Sequence, residues 1–134
     1  LEPADALAGR SPGSARIGMS RSDVRGLYGA PRARAAVRLA DGGGATLEEH
    51  RVPGGRLRLW YRSDLVVAIA TTSPFYRTPA GLAVGAAVRR AAPGEGCRRA
   101  ASGLWLTARS RRPLLAELVV ARPGLRPACA GPSS

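Results

Sequence analysis

The sequence predicts an α+β fold in which short helices pack on one face of an antiparallel sheet, built from two degenerate helix–β-hairpin repeats. Three observations support this class. The chain has 134 residues, which suits one domain, and 45% of them are hydrophobic, which is enough for a core. Short runs of alternating apolar and polar residues indicate half-buried strands. A short stretch with helical spacing precedes such strands in each half.

The predicted organisation is an arm followed by two similar units. Residues 1–16 are rich in Pro, Gly, Ser and Ala without a clear period, so we expect a linker or arm there. Repeat 1 is expected over 17–77, with a helix and antiparallel strands. Repeat 2 is expected over 78–130, with a helix, a hairpin and a tail.

The first helix is expected to begin after Ser20 and to end at Tyr28. Ser20 is a favourable N-cap, and Asp23 three positions later completes a capping-box pattern. The apolar stripe has the spacing i, i+3, i+4 and consists of Val24, Leu27 and Tyr28. Gly29 ends the helix and Pro31 prevents its continuation. Two turns need a sheet to pack on, because isolated short helices are unstable.

Strand signals follow the helix. Alternating or apolar runs predict strands at 33–39, 46–52, 56–62 and 65–71. Turns are expected at Pro53–Gly55 and Ser63–Asp64, and a flexible hairpin loop at 41–45.

The second half repeats this order in a shorter form. Residues 82–92 can be aligned with 17–28, and 103–110 with 56–63. Residues 113–121 can be aligned with the strand that begins at Leu65. We therefore expect a second short helix and a second hairpin, without a counterpart of the strand at 33–39.

The charge is strongly positive and comes from arginine alone. The 21 basic residues are all Arg and face nine acidic residues, which gives a net charge of +12. The chain has no Lys, Asn or Gln, as a very GC-rich genome would produce, so codon bias is one explanation of the charge. Whatever its origin, such a surface attracts anions, and Arg pairs with carboxylate or phosphate through two hydrogen bonds.

The two cysteines predict a compartment. Cys97 and Cys129 are too far apart for a CxxC redox pair or a metal knuckle. We expect one disulfide that pins the C-terminal tail and stabilises the fold by about 3–4 kcal/mol on the chain-entropy estimate. A disulfide indicates an oxidising location, secreted or periplasmic in the cell envelope of a high-GC bacterium, and a start at Leu1 fits a mature form without its signal peptide. Two unpaired thiols in a cytosolic protein are the alternative.

One motif resembles a known family. It consists of Gly18-Met19-Ser20, Val24 and Leu27-Tyr28-Gly29-Ala30-Pro31, followed by antiparallel strands. This pattern is similar to the SmpA/OmlA (BamE-like) family, and the tandem arrangement resembles the β-lactamase inhibitory protein family. The resemblance spans 15–121 and implies a secreted bacterial binding protein rather than an enzyme. It reports a helix–turn–strand corner, so no functional residue is carried over from it.

Catalytic and metal chemistry have little support. His50 is the single histidine, and no nucleophile elbow such as GxSxG is present. Glu48 and Glu49 are adjacent, so on a strand they point to opposite faces and cannot act as a pair. One histidine with scattered acids is also a poor metal site. We expect no enzyme activity, no cofactor and no metal, and an exposed loop or edge-strand position for His50.

One sheet face is expected to carry the partner contacts. Along 56–62 the leucines should turn toward the helices, which leaves arginine and tryptophan on an open face. The candidate partner-binding residues are Arg38, Arg56, Arg58, Trp60, Arg62, Trp105 and Arg109. Trp and Arg are common interface anchors, so we expect binding of an acidic protein or envelope component. The alternatives are a basic binder of nucleic acid or another anionic polymer, and a solvated face on which arginine stems cover tryptophan rings.

Overall fold

The computed structural model describes residues 6–8, 14–39, 42–78, 81–85, 98–101, 104–109, 112–122 and 125. Cys97 and Cys129 lie outside these residues, so their disulfide stays a prediction. Most of the second predicted helix, from residue 86 onward, also lies outside them.

The described part of the chain contains one α-helix, α1 at Arg21–Tyr28, and nine β-strands. The strands are β1 (Ala6–Ala8), β2 (Ser14–Arg16), β3 (Ala33–Arg38), β4 (Gly44–Val52), β5 (Gly55–Arg62), β6 (Leu65–Thr71), β7 (Arg98–Ala101), β8 (Leu104–Arg109) and β9 (Arg112–Ala121). β1 and β2 pair with each other, within the residues predicted as an arm.

The other seven strands form one antiparallel sheet in the order β3-β4-β5-β6-β9-β8-β7. At its centre β6 pairs with β9, from Ala68 opposite Ala121 to Thr71 opposite Leu118. Two three-stranded meanders, β4–β5–β6 and β7–β8–β9, therefore meet at their last strands. Two copies of one meander would give this order, and the repeat itself stays a prediction.

The predicted class, with several helices on a sheet, is wrong, because the described residues are mostly strand and hold a single helix. The second helix is expected to follow Gly85, which aligns with the N-cap Ser20, and that part of the chain lies outside the described residues. Before it, Ala83 forms an isolated bridge with Arg77, and Gly85 has φ +93°.

Helix α1 forms as its capping pattern predicts. Ser20 Oγ accepts a hydrogen bond from the Asp23 N–H at 3.1 Å, and Gly29 closes the helix with φ +79°. The segment before the helix is attached to β6, where the Gly18 N–H donates to the Val66 carbonyl at 2.8 Å. The helix is thereby fixed over one face of the sheet.

Side chains are buried on both faces of the sheet. The face beneath α1, called here the helix face, includes Val24, Val52, Leu57, Leu59, Tyr61, Val66, Ile69, Leu104, Leu118 and Val120. The opposite face, called here the reverse face, buries Leu39, Trp60, Val67, Ala68, Ala70, Val119, Ala121 and Leu125. The leucines of β5 do turn toward the helix, but the reverse face is not open throughout.

Candidate functional site

Trp60 is not part of an exposed surface. It is 1% exposed within the reverse-face cluster, and the Arg58 guanidinium lies 5.1 Å from its ring centroid. The predicted open face is therefore wrong at this position. The alternation along β5 correctly predicts that Trp60 points to the reverse face. It cannot show that Leu39 and Leu125, which lie outside the strands, cover that face. Trp105 is half-buried and packs against the same cluster.

Arg58 is held by a buried carboxylate. Its Nη2 donates to Glu117 Oε2 at 2.7 Å, and the two side chains are 15% and 2% exposed. A charge-assisted hydrogen bond this short is strong, and it joins β5 to β9 across β6. Arg58 therefore ties the sheet together and offers little charge to a partner.

The remaining predicted arginines differ in exposure. Arg38 is exposed and Arg62 half-buried, and they donate to backbone carbonyls of the β3–β4 hairpin at 3.2 and 3.0 Å. Arg56 is exposed, and its Nη1 lies 3.8 Å from an oxygen of the partly exposed Glu49. The side chain of Arg109 lies outside the described part of the chain, as do both cysteines. Of these arginines, Arg56 has the weakest internal contact.

Three exposed arginines meet at one end of the sheet. Arg51 and Arg56 are directly opposite each other on β4 and β5, and Arg32 lies beside them just before β3. All three line one shallow depression together with Glu49. We call Arg32, Arg51 and Arg56 the arginine cluster. Like charges directly opposite in an antiparallel pair are destabilising, so folding gains nothing from this arrangement.

The turn between Arg51 and Arg56 is tightly fixed. Gly54 has φ +79°, and a Cβ on Gly55 would lie 2.9 Å from the Ser73 backbone nitrogen, so both positions need glycine. The Arg56 N–H also donates to a threonine hydroxyl at 3.1 Å. Sequence reasoning selected Arg56 and missed Arg51, although equal distance from the Pro53–Gly54 turn is a signal that pairs Arg51 with Arg56.

Glu48 lies fully buried beneath α1. Its Oε2 accepts a hydrogen bond from Arg25 Nη2 at 2.7 Å, and Nε atoms of Arg21 and Arg34 are each 4.0 Å away. The hydrogen bond and charge of Glu48 raise the pKa of Arg25. The expectation that Glu48 and Glu49 point to opposite faces is confirmed. Glu48 therefore joins the helix and β3 to β4.

His50 is buried, and the expectation of an exposed position is wrong. It is 2% exposed on the helix face, and neither ring nitrogen has a hydrogen-bond partner within the described structure. The Tyr28 ring centroid is 5.6 Å from that of His50. Burial lowers the pKa of His50; the Glu48 charge opposes this shift and the Arg25 charge adds to it.

A second shallow depression lies over His50. Its lining consists of Tyr28, Ala30, Arg32, His50 and Arg51. β3 starts at Ala33 and pairs no further along β4 than Glu49, so among the described strands none pairs with this edge of β4 from His50 onward. Arg32 and Arg51 line both depressions, and the arginine cluster therefore borders the buried histidine.

The described residues contain neither a candidate metal site nor a candidate membrane-spanning helix. Among them, no group of three or more His, Cys, Asp or Glu side chains is placed to hold a metal ion. None of their helices has the length and apolar character that a membrane crossing requires.

No protein-family model matches the chain, and no curated protein or solved structure matches it either. The function of this protein must therefore be argued from its own residues.

Proposed function

We propose that this protein is a non-enzymatic binding module that contacts an acidic protein partner through the arginine cluster. The observation that carries this proposal is the direct pairing of exposed Arg51 and Arg56, with Arg32 beside them, around the single partly exposed Glu49. Three guanidinium groups held together present more positive charge than one carboxylate neutralises. An acidic segment of a partner would supply the missing negative charge.

Burial of acids makes the described surface more positive. Glu48 and Glu117 lie in the interior, where arginines pair with them. The exposed acids of the described residues are Asp23 and Asp64. The exposed arginines are Arg16, Arg25, Arg32, Arg34, Arg38, Arg51, Arg56, Arg77 and Arg122. This imbalance favours partners that carry negative charge.

A protein partner is favoured over a nucleic acid. Binding of single strands combines a basic groove with exposed aromatic rings on which bases stack. Trp60, the aromatic residue closest to this role in the sequence, is buried. Beside the arginine cluster, Phe75 is 43% exposed and lies against Gly54, whereas stacking of successive bases needs a series of rings along a groove. The cluster therefore suits carboxylates better than a run of bases.

The binding experiment compares two variants with the same loss of charge. One removes the cluster (Arg32→Ala, Arg51→Ala and Arg56→Ala), and its control removes exposed arginines elsewhere (Arg16→Ala, Arg77→Ala and Arg122→Ala). The probes are a labelled ten-residue peptide of alternating Glu and Val and a labelled thymidine decanucleotide, followed by fluorescence anisotropy. We expect the cluster variant to bind the peptide about tenfold more weakly, equivalent to ~0.5 kcal/mol per arginine, and the control to change little.

Two results would overturn the proposal. Equal losses in the two variants would show that only the overall charge matters. Tighter binding of the oligonucleotide than of the peptide, with log K falling steeply and linearly with log salt, would identify a binder of anionic polymers instead.

The proposed compartment is outside the cytoplasm, secreted or periplasmic, and it is supported by the predicted pairing of Cys97 with Cys129. We expect the purified chain to resist alkylation by iodoacetamide in denaturant until a reductant is added. Intact mass spectrometry before and after reduction measures this directly. Alkylation of both thiols in the unreduced chain would remove the support for this compartment.

A further inference from the structure

The depression over His50 contains hydrogen-bonding capacity that the described structure leaves unused. Both imidazole nitrogens lack partners there, although the side chain is 2% exposed. A buried polar group left unpaired costs about 1–3 kcal/mol. A ligand that hydrogen-bonds to the ring would recover part of this cost.

The mouth of the depression supplies donors from two elements. Arg32 is exposed and lines it. Arg51 also lines it, but its side chain points to the face opposite His50, so its contribution here is its backbone. The Glu49 carbonyl accepts from the Arg32 N–H at 2.7 Å, so the backbone groups of Glu49 face the β3 side of β4. Because these directions alternate along an antiparallel strand, the backbone N–H of Arg51 points to the same side, where β3 no longer runs.

These groups form a site suited to a small, flat anion. The Arg32 side chain and the Arg51 backbone N–H lie at the opening, and the His50 imidazole lies at the floor. The Tyr28 ring and the small Ala30 complete the lining. A carboxylate has two coplanar oxygens, so one can meet a guanidinium at the mouth while the other accepts a hydrogen bond from the imidazole N–H.

We propose that this depression is a carboxylate-binding pocket that receives one acidic side chain of the partner, with the Arg32 guanidinium and the Arg51 backbone N–H at its mouth and His50 at its floor. The inference rests on the proposed function, because Arg32 and Arg51 belong to the arginine cluster. It adds a defined position for one carboxylate and a role for a histidine that composition alone does not suggest.

The single histidine makes the test direct, because the imidazole signals in a ¹H–¹³C NMR correlation spectrum belong to His50 alone. The probes are the Glu-Val peptide, the same peptide with Gln in place of Glu, and inorganic phosphate, all at one fixed pH. We expect the Glu-Val peptide to shift the His50 signals saturably and the Gln peptide to leave them unchanged. Phosphate should act more weakly than the Glu-Val peptide.

Matched variants separate the pocket from the rest of the cluster. Arg32→Ala should abolish the His50 shift, whereas Arg56→Ala should retain it. Of these two arginines, Arg32 lines the depression over His50, and Arg56 lines the neighbouring depression alone. His50→Gln should bind the Glu-Val peptide about tenfold more weakly, as expected for a lost hydrogen bond to a charged group. Thermal unfolding of each variant shows that it is folded at the temperature of the measurement.

The possible failures are distinguishable. If the peptide binds and depends on the arginine cluster but leaves the His50 signals in place, the pocket is wrong and the proposed function stands. If phosphate shifts His50 more strongly than the peptide does, the site does not recognise carboxylates. If the peptide does not bind at all, both proposals fail together.

Discussion

The imidazole of His50 is held in its neutral form by the fold. Burial lowers its pKa below the ordinary value of 6.5, and the nearby Arg25 charge acts in the same direction, while Glu48 opposes it. The unfolded chain therefore binds a proton at a higher pH than the folded chain does. Within that window the free energy of unfolding falls as the pH falls, because protonation favours the unfolded state.

We expect the NMR titration of His50 in the free protein to have a midpoint below 6.5. Replacement by Phe should also remove the part of the pH dependence of stability that lies just below 6.5, as measured by urea unfolding at several pH values. A midpoint at or above 6.5 would contradict the buried, neutral histidine.

Single residues also show where sequence reasoning reaches its limit. Alternation correctly places Glu48 and Glu49 on opposite faces and Leu57 on the helix face. It cannot show which face of a strand is buried. The prediction therefore places Trp60 and His50 at exposed positions, whereas both are buried in the fold. Whether a strand face is buried depends on side chains that are distant in sequence, and a local sequence pattern does not contain them.

At the scale of elements, the strands on either side of tight turns were predictable, whereas β1, β2 and β7 were not. The runs at 56–62 and 65–71 correspond closely to β5 and β6, because tight turns bound each of them. Helix α1 carries explicit signals at both ends. The segment at 82–92 has Pro93-Gly94 as an end signal, but Gly85 occupies the position where Ser20 caps α1. Gly85 has a positive φ, and the residues after it lie outside the described part of the chain.

The outer strand β3 allows a test of register by proline. The Leu39 N–H donates to the Gly43 carbonyl at 2.9 Å, in continuation of the β3–β4 register. By alternation the Ala35 N–H also bonds to β4, whereas the Ala36 N–H points away from the sheet. Ala35→Pro removes a ladder hydrogen bond, so we expect it to destabilise the fold by about 2 kcal/mol more than Ala36→Pro. Chemical denaturation of both variants measures the difference, and equal costs would contradict the assigned register.

At the scale of the whole molecule, the internal acids determine what charge a partner meets. A GC-rich codon bias would account for arginine in place of lysine, but it would not account for the positions of the arginines. Arg25 and Arg58 stabilise the fold through Glu48 and Glu117, while Arg51 faces another arginine. The sequence contains both kinds of arginine without distinguishing them. The structure separates those that pair internally from those available at the surface.

The two halves of the sheet should unfold together, because Arg58 on β5 and Glu117 on β9 join them across β6. Arg58→Met removes the counter-charge of a buried carboxylate, which costs about 3 kcal/mol or more. Each half carries one tryptophan, Trp60 and Trp105, so Trp105→Phe and Trp60→Phe each leave a fluorescent reporter in a single half.

In both of these single-tryptophan backgrounds, Arg58→Met should lower the urea midpoint by the same amount. Arg58→Met with Glu117→Leu should recover most of the loss, since an apolar pair of similar volume needs no counter-charge. A shift confined to the Trp60 reporter would show instead that the second half of the sheet is stable without the first, and that the buried ion pair does not couple them.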